Sequence, residues 1–428
     1  MPDFDVKKLK KMYDEAKRVD EKLFAEQRTN IRLKMGDHYK KKAAMFDDLR
    51  ARGVINKKTS IRLTKNHIHR ITNIYENQIL ETNPSVTAVP FNKNELHDIK
   101  AAEQRQGIID WVKETNNWDD KQSKHVSDFI GIGETYALIR FDYDKGKPIA
   151  ENEDTGEIVK SGEFEIERVF GFDLKRDPDA RTEDEAVWWI RDQMVNKSEF
   201  KKLVKNAKDG DNSEALQEKV RSSVETTTRI FDPSLGQYKA TKNQVLVKEL
   251  FVKPSNEYPN GWYVMFTDHL IITQGELPFG IYPLVGKGFD ELTTSPRSAS
   301  IIRVCRPYQI EVNRSSSKMA EHQITLGDDK VYIQDGTKLT NGGTLHGVRA
   351  FKISGREPII QPGRSGAQYL EYQLSQIKEM YEAVNLSHIL EDNNAKVGDP
   401  YLLLFRAMKD KKKFVRYINK YSQFEIAV

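Results

Sequence analysis

The sequence predicts an α+β protein with an elongated or multi-lobed body, and three observations support this class. Of its 428 residues, 38% are hydrophobic and 31% are charged, which is enough for a folded core but little for one large globule. Long segments with apolar residues at helical spacing alternate with shorter segments of strand-like alternation. No apolar run approaches the roughly 18 residues that a membrane-spanning helix needs.

The first third of the chain is predicted to be mostly helical. Apolar residues recur at helical spacing over 5–50, 66–82 and 95–115, with charged residues on the opposite faces. Between the last two helices, SVTAVPF at 85–91 alternates in the manner of a strand. A further helix then leads into a strand over Thr135–Tyr143.

The middle of the chain is predicted to be a mixed β region. Asn196 and Glu199 form a capping-box pattern in front of a helix over 198–207. The segment 276–298 is rich in Pro and Gly and is predicted to be a connector. A meander of three strands is predicted from three β-rich segments, 243–253, 261–268 and 269–275.

The last third follows the order helix, small β insert, helix, loop, helix. The first of these helices is long and polar, contains Pro307, and spans about 296–323; Pro307 removes one backbone donor from it. The remaining segments are the β insert at 326–362, a helix at 365–390, the loop EDNNAKVGDP at 391–400 and a basic helix at 401–422.

Charge and cysteine content limit the class further. Residues 1–70 carry 20 Lys/Arg against 10 Asp/Glu and residues 406–428 carry seven against two, so the middle of this +4 chain has a net charge of −11. Basic ends around an acidic body indicate different partners, unless each run is a solvated helix face. The charged start predicts no signal peptide. The single cysteine, Cys305, excludes an internal disulfide and fits a reducing compartment.

The motifs of catalytic and metal sites are incomplete. GIYPLVGKG at 280–288 has five residues between its glycines instead of four, and Lys287 precedes Gly rather than Ser or Thr. GIGETY at 131–136 leads into a predicted strand, unlike a dinucleotide fingerprint. His67 and His69 point about 200° apart on a helix and cannot share a metal from it alone. We therefore predict no catalytic residue, no metal and no cofactor.

The long polar helix raises the question of what it packs against. At 1.5 Å per residue it is a rod of roughly 40 Å, and a lone hairpin with so narrow an apolar stripe buries too little surface. We therefore expect copies of the chain packed side by side in a ring; the alternative is an ordinary hairpin in a compact domain. The residues expected to pack between subunits are Ile301, Tyr308, Val312, Leu370, Leu374, Ile377 and Tyr381. The basic residues left for solvent, acidic neighbours or a phosphate backbone are Arg297, Arg303, Arg306, Arg314 and Lys318.

The order of these elements resembles that of tailed-bacteriophage portal proteins, particularly those of short-tailed phages. Each matching segment is weak alone, and their order from about 60 to 425 is much more specific. The segments are KNHIHRITNIYENQILETNPSVTAVPF, HVSDFIGIGETYALIRFDYD, IERVFGFDLKRDPDARTEDEAVWWI and FGIYPLVGKGFDELTTSPRSASIIRVCRPYQIEVNRSSSKM.

The resemblance implies a portal fold that assembles into a dodecameric ring at one capsid vertex. The ring would be the channel for double-stranded DNA in packaging and ejection, and would bind the terminase motor and then the tail adaptor. The implied parts are a wing at 1–295, stem helices at 296–325 and 363–390, a clip at 326–362, a tunnel loop at 391–400 and a wing or crown helix at 401–428.

The resemblance also implies partners and a location. The partners are copies of itself, the major capsid protein, the terminase, tail-adaptor or head-completion proteins, and DNA bound weakly without sequence preference; no membrane is expected. The protein would be assembled in the host cytoplasm and reside in the virion. The implied tunnel-loop residues near DNA are Asn393, Asn394, Ala395 and Lys396. Members of this branch often continue further, so with a chain that stops at Val428 we expect a short crown or none.

Two other classes of function remain open at this point. One is a nucleic-acid-processing enzyme that uses dispersed carboxylates and magnesium. The other is an adaptor or scaffold that forms a ring without passing DNA.

Overall fold

The computed structural model groups the chain into two compact units. It describes residues 4–39, 62–82, 86–143, 145–151, 158–183, 185–207, 213–225, 228–232, 237–241, 243–293, 295–326, 330–332, 338–345, 348–354, 359–361, 366–386 and 400–428. The first unit contains Met1–Met35, Ile68–Val304 and Lys396–Val428. The second contains Gly36–His67 and Cys305–Ala395. The segment 36–67, which the family resemblance assigns to the wing, thus groups with the helical hairpin.

The described residues form nine helices and eighteen strands. The helices are α1 (Val6–Lys34), α2 (His67–Thr82), α3 (Leu96–Thr115), α4 (Trp118–Gly131), α5 (Lys197–Ala207), α6 (Glu214–Glu225), α7 (Ile302–Leu326), α8 (Ala367–Ala383) and α9 (Pro400–Ala427). The strands are β1 (Glu134–Asp142), β2 (Pro148–Glu151), β3 (Ile158–Lys160), β4 (Glu163–Val169), β5 (Leu174–Arg176), β6 (Trp188–Asn196), β7 (Thr228–Asp232), β8 (Gln237–Thr241), β9 (Gln244–Val252), β10 (Trp262–Phe266), β11 (Ile271–Glu276), β12 (Leu284–Gly288), β13 (Asp290–Glu291), β14 (Ser298–Ala299), β15 (Lys330–Tyr332), β16 (Lys338–Leu345), β17 (Val348–Ser354) and β18 (Ile359–Gln361).

Two antiparallel sheets form the centre of the first unit. One has the strand order β11-β10-β9-β6-β5, and the other has the order β12-β1-β4. In the larger sheet β9, β10 and β11 are consecutive neighbours, so the predicted meander is confirmed.

The larger sheet is buried on both faces. Trp189 and Phe251 lie opposite each other and join a core cluster with Tyr136 and Leu284 of the smaller sheet. The next pair, Ile190 and Leu250, lies in a different cluster, which includes Leu9 and Tyr13 of α1. Because successive strand residues point to opposite faces, the smaller sheet covers one face and α1 covers the other.

A second core of the first unit is aromatic and lies where α9 meets α2 and α4. Phe289 stacks on Tyr417 with ring centroids 4.2 Å apart, and Tyr75 and Phe129 contact Phe289 edge-on. His125 is fully buried in the same region, where burial lowers its pKa to about 3. The C-terminal half of the last basic helix is therefore held by aromatic contacts, to which the ion pairs of Lys420 with Glu291 and of Arg416 with Asp290 add.

Several local predictions were wrong. α1 ends at Lys34 rather than at 50, and residues 40–61 lie outside the described part of the chain. Residues 86–91 form no strand. The predicted connector contains β12, a strand formed by long-range antiparallel pairing with β1, which local Pro and Gly content does not report. A Cβ at Gly286 would lie 2.2 Å from the Tyr136 ring, so this glycine of the phosphate-loop-like sequence serves packing.

Candidate subunit interface

The long polar helix begins later than its sequence predicts. α7 starts at Ile302, because residues 298–299 form β14 and pair with β13. The prediction that Arg297 lies on this helix is therefore wrong. Pro307 lies inside α7, as predicted.

Arg297 is the centre of a buried ion network in the first unit. Its side chain is 0% exposed. Its Nε and Nη2 donate to Asp20 Oδ2 at 2.9 and 2.7 Å, and its Nη1 donates to Glu134 Oε2 at 3.0 Å. The two remaining N–H groups donate to the carbonyl oxygens of Gly171 and Leu174, so all five guanidinium donors are used.

The surroundings of Arg297 keep it charged. Burial by itself would lower its pKa, but the carboxylates of Glu134 and Asp20 outweigh burial, and the pKa is raised. The rings of Phe24 and Trp189 also lie within cation–π range of the guanidinium. Arg297 therefore ties α1 to β1 and is withdrawn from solvent, so it is not one of the exposed basic residues.

The polar character of α7 is explained by an extended segment of the second unit. Residues 63, 65 and 67 donate their backbone N–H groups to Ser317 Oγ (3.1 Å), Asn313 Oδ1 (3.2 Å) and Gln309 Oε1 (2.9 Å). Four helical residues advance about 6.0 Å, and two extended residues advance about 6.6 Å. Because these repeats nearly match, a polar residue every fourth position on α7 binds every second residue of the segment.

The same chemistry joins α7 to α8. Gln373 is buried, and its Nε2 donates to the carbonyl of Val312 and to Ser316 Oγ. Its Oε1 accepts from Lys65 Nζ at 3.0 Å. This contact could not be predicted from hydrophobic periodicity, which reports only apolar faces. Here α7 and α8 meet through an amide, a hydroxyl and a backbone carbonyl.

The predicted packing residues divide into three groups. Ile301, Val312 and Tyr381 are already buried in the single chain, which leaves them little surface to offer a neighbouring subunit. Tyr308 and Ile377 are partly buried. Leu370 and Leu374 are exposed on α8, the latter at 55%, and remain open to a neighbour.

Sequence reasoning missed two exposed apolar residues, Val304 and Ile310, on α7. Their signal was present, because both are β-branched aliphatic side chains on a polar helix. The apolar residues predicted for contacts between subunits instead included Ile301 and Val312, which the chain itself buries.

The remaining predicted basic residues are accessible and mostly paired. Arg303 lies 3.4 Å from Glu26, Arg314 lies 3.5 Å from Glu311, and Lys318 lies 3.0 Å from Glu321. Arg306 is partly exposed. These side chains were expected to meet solvent, acidic residues or a phosphate backbone. Within the single chain, three of them pair with glutamates.

The predicted tunnel-loop residues Asn393, Asn394, Ala395 and Lys396 lie outside the described residues. The β insert is described in part, as β15 paired with β18 and β16 paired with β17, all antiparallel. α8 ends at Ala383 rather than at 390, and Asn385 has a left-handed φ of 58° just beyond it.

The side chain of Asn313 gives a direct test of the strand-on-helix contact. In the Asn313→Leu variant the Lys65 N–H loses its acceptor, and we expect a loss of about 1–3 kcal/mol together with faster trypsin cleavage after Arg62 and Lys65. The control is Glu311→Leu, which introduces the same residue at a nearby and more accessible position of α7. Equal cleavage rates in the two variants would contradict the contact.

Neither a metal site nor a membrane span is found in the part of the chain that the structure describes. No group of three or more His, Cys, Asp or Glu side chains there is arranged to hold a metal ion. No described helix is both long enough and apolar enough to cross a bilayer.

Comparison with known families identifies the family to which the chain is similar. The model of the phage P22-like portal protein family matches residues 10–336, which is more than half of the chain. A search of curated proteins finds no match. The chain therefore belongs to the P22-like family of phage portal proteins.

Portal proteins are structural components of the capsid vertex of tailed phages. They connect head to tail, take part in DNA packaging, and assemble with copies of themselves and with capsid, terminase and tail proteins in general.

Proposed function

We propose that this protein forms a dodecameric ring at one capsid vertex through which double-stranded DNA is packaged and ejected. The ring binds the terminase motor during packaging and the tail adaptor afterwards. The family match carries this proposal, and the exposed apolar residues of α8 supply the surface that a neighbouring subunit needs. On α8 it is Gln373 that packs against α7, whereas Leu370 and Leu374 are exposed to solvent in the single chain. A neighbouring subunit would cover these two leucines.

We assign the parts of the ring in the family order. α7 and α8 are the stem helices, with α7 beginning at Ile302 rather than at 296. Residues 326–362 are the clip, 391–400 the tunnel loop and 401–428 the wing or crown helix, while residues preceding the stem form most of the wing.

A DNA channel is expected to bind DNA only weakly. Each tight phosphate contact would slow translocation, and phosphate binding strengthens steeply as more cations converge. Lys396 and the amides of Asn393 and Asn394 give each subunit a few contacts that do not depend on DNA sequence. Twelve copies then surround the duplex with weak, evenly repeated electrostatic contacts. We assign ATP hydrolysis to the motor, because the phosphate-loop-like sequence at 280–288 is incomplete.

The tunnel-loop assignment is tested by replacing residues 391–400 with a Gly/Ser segment of equal length. The expected variant assembles with normal mass but fails to package or retain DNA, because the loop contacts DNA and not the neighbouring subunit. Packaged DNA would be measured by nuclease protection in an in vitro packaging reaction. A Gly/Ser replacement of the exposed residues Asn256 and Glu257 is the control. Normal packaging by the loop variant would refute the loop's role.

A further inference from the structure

The helical hairpin of the second unit leaves one face of α7 uncovered by the described part of the chain. Gln373 of α8 donates to the carbonyl of Val312 and to Ser316 Oγ, so these two residues mark the side on which α8 lies. Each helical residue turns the chain by about 100°. Ile310 and Arg314 precede the two contact residues by two positions, so they point about 200° away from α8. Both are exposed.

The matching face of α8 points away from α7. Glu371 lies two positions before Gln373 and Glu382 nine positions after it, so their side chains point about 200° and 180° from this contact residue. Both glutamates are exposed, and Leu374 beside them is 55% exposed. The two uncovered faces thus lie on opposite sides of the helix pair. Subunits that join head to tail in a ring need this arrangement of two different surfaces.

The two uncovered faces carry opposite charge. The one on α7, here called the basic face, consists of Arg306, Ile310, Arg314 and Lys318. The one on α8, here called the acidic face, consists of Glu371, Leu374, Lys378 and Glu382. Its single cation, Lys378, lies 3.8 Å from Glu382. The pairs that Arg314 and Lys318 make with glutamates three residues away lie at the surface and contribute little.

Contacts within the hairpin fix the height of α8 along α7. Gln373 contacts residues 312 and 316 of α7, so it lies at the height of residue 314. Tyr369 packs on His322, with ring centroids 5.6 Å apart, so α8 runs antiparallel to α7. Because each residue advances 1.5 Å along either helix, the height of every residue on the acidic face follows from these contacts.

The charges of the two faces match in height. Glu371 falls between Arg314 and Lys318, Leu374 falls about 5 Å from Ile310, and Glu382 falls about 2 Å from Arg306. Rotation about a ring axis that runs along the hairpin leaves height unchanged. Residues at equal height in neighbouring copies therefore face each other, and here a cationic level meets an anionic level above and below an apolar one.

We propose that the basic face of one copy packs on the acidic face of the next, with these three levels in register. The contact rests on the proposed ring, and it identifies the surface that covers Leu374. The apolar Ile310 within the basic face, and the carboxylates at equal heights on the opposite side of the same hairpin, favour a second copy over a DNA backbone, which binds through cations alone.

The register is tested by charge exchange in the full-length chain, with assembly followed by sedimentation over a concentration series. We expect Arg314→Glu and Glu371→Arg each to raise the concentration for half-assembly at least about threefold, because like charges then face each other. The chain with both changes should assemble as the wild type does. The matched control combines Arg314→Glu with Glu382→Arg, which places the same charges at different heights and should remain weak.

The outcomes separate this contact from the ring itself. Wild-type chain that never assembles would refute the ring and with it the proposed function. Equal assembly of the matched and the mismatched double variants would overturn the register alone. An Arg314→Glu chain that assembles normally but retains less DNA would overturn the contact too, and would assign the basic face to DNA.

Cross-linking tests the apolar level independently of charge. In assembled rings of the variant with Ile310→Cys and Leu374→Cys, a short bis-maleimide should produce a ladder of covalent oligomers, because the two positions face each other only between copies. Each single variant should give no ladder, since native Cys305 is buried. Circular dichroism checks that the helices are retained. Assembled rings of the double variant without a ladder would contradict the proposed contact.

Discussion

Replacing Arg297 with methionine is expected to destabilise the first unit by about 3–5 kcal/mol, because Glu134 would remain buried without its cation and Asp20 would keep only Arg176, whose Nε lies 3.7 Å away. A domain is usually stable by only about 5–15 kcal/mol, so much of the unit's stability would be lost. All five tryptophans, residues 111, 118, 188, 189 and 262, lie in the first unit. Urea unfolding followed by tryptophan fluorescence therefore measures this unit directly.

The control for Arg297 is Arg314→Met, which removes a guanidinium whose side chain is 71% exposed. Its loss should cost under about 1 kcal/mol. Adding Asp20→Asn and Glu134→Gln to Arg297→Met should restore part of the loss, because no unpaired carboxylate remains. Equal stabilities of the Arg297 and Arg314 variants would show that the buried network contributes little.

Replacing both Leu374 and Ile377 with aspartate is expected to abolish ring assembly while leaving the chain folded. Leu374 is exposed and Ile377 only partly buried, so the monomer tolerates the change. Losing two apolar contacts and placing two carboxylates in each interface should cost at least about 3 kcal/mol, a hundredfold or more in association. Sedimentation and circular dichroism measure assembly and folding separately.

The matched control for the stem variant is Gln368→Asp on the same helix. It adds the same kind of charge at an exposed position about 120° away from Leu374. Gln368→Asp should still form rings. Intact rings in the Leu374 and Ile377 variant would refute the claim that these residues pack between neighbours.

Local sequence signals predicted much of the secondary structure. The starts of α2, α3, α5 and α9 and the strands of the meander β9–β11 agree with predicted segments to within a few residues. These elements carry strong periodicity, clear caps or turn residues, and need no distant information. β12 was missed because only its pairing with β1 makes its Pro/Gly-rich segment a strand.

The buried polar contacts could not be predicted from the sequence. Arg297 lies 277 residues from Asp20 and 163 from Glu134, so its burial depends on long-range packing. The apolar residues of α7 were recognised from the sequence. Which of them the chain buries depends on how residues 63–67 and α8 pack against the helix. For this reason Val312 and Tyr381 proved internal, while Leu370 and Leu374 stayed accessible.

We infer that copies of this chain close into a ring around DNA. The most direct measurement is the mass of the purified protein in solution, together with negative-stain electron microscopy, repeated after co-expression with its capsid proteins. We expect rings with a central hole and about twelve copies of the 49.4 kDa chain. A protein that stays monomeric in both preparations would contradict it.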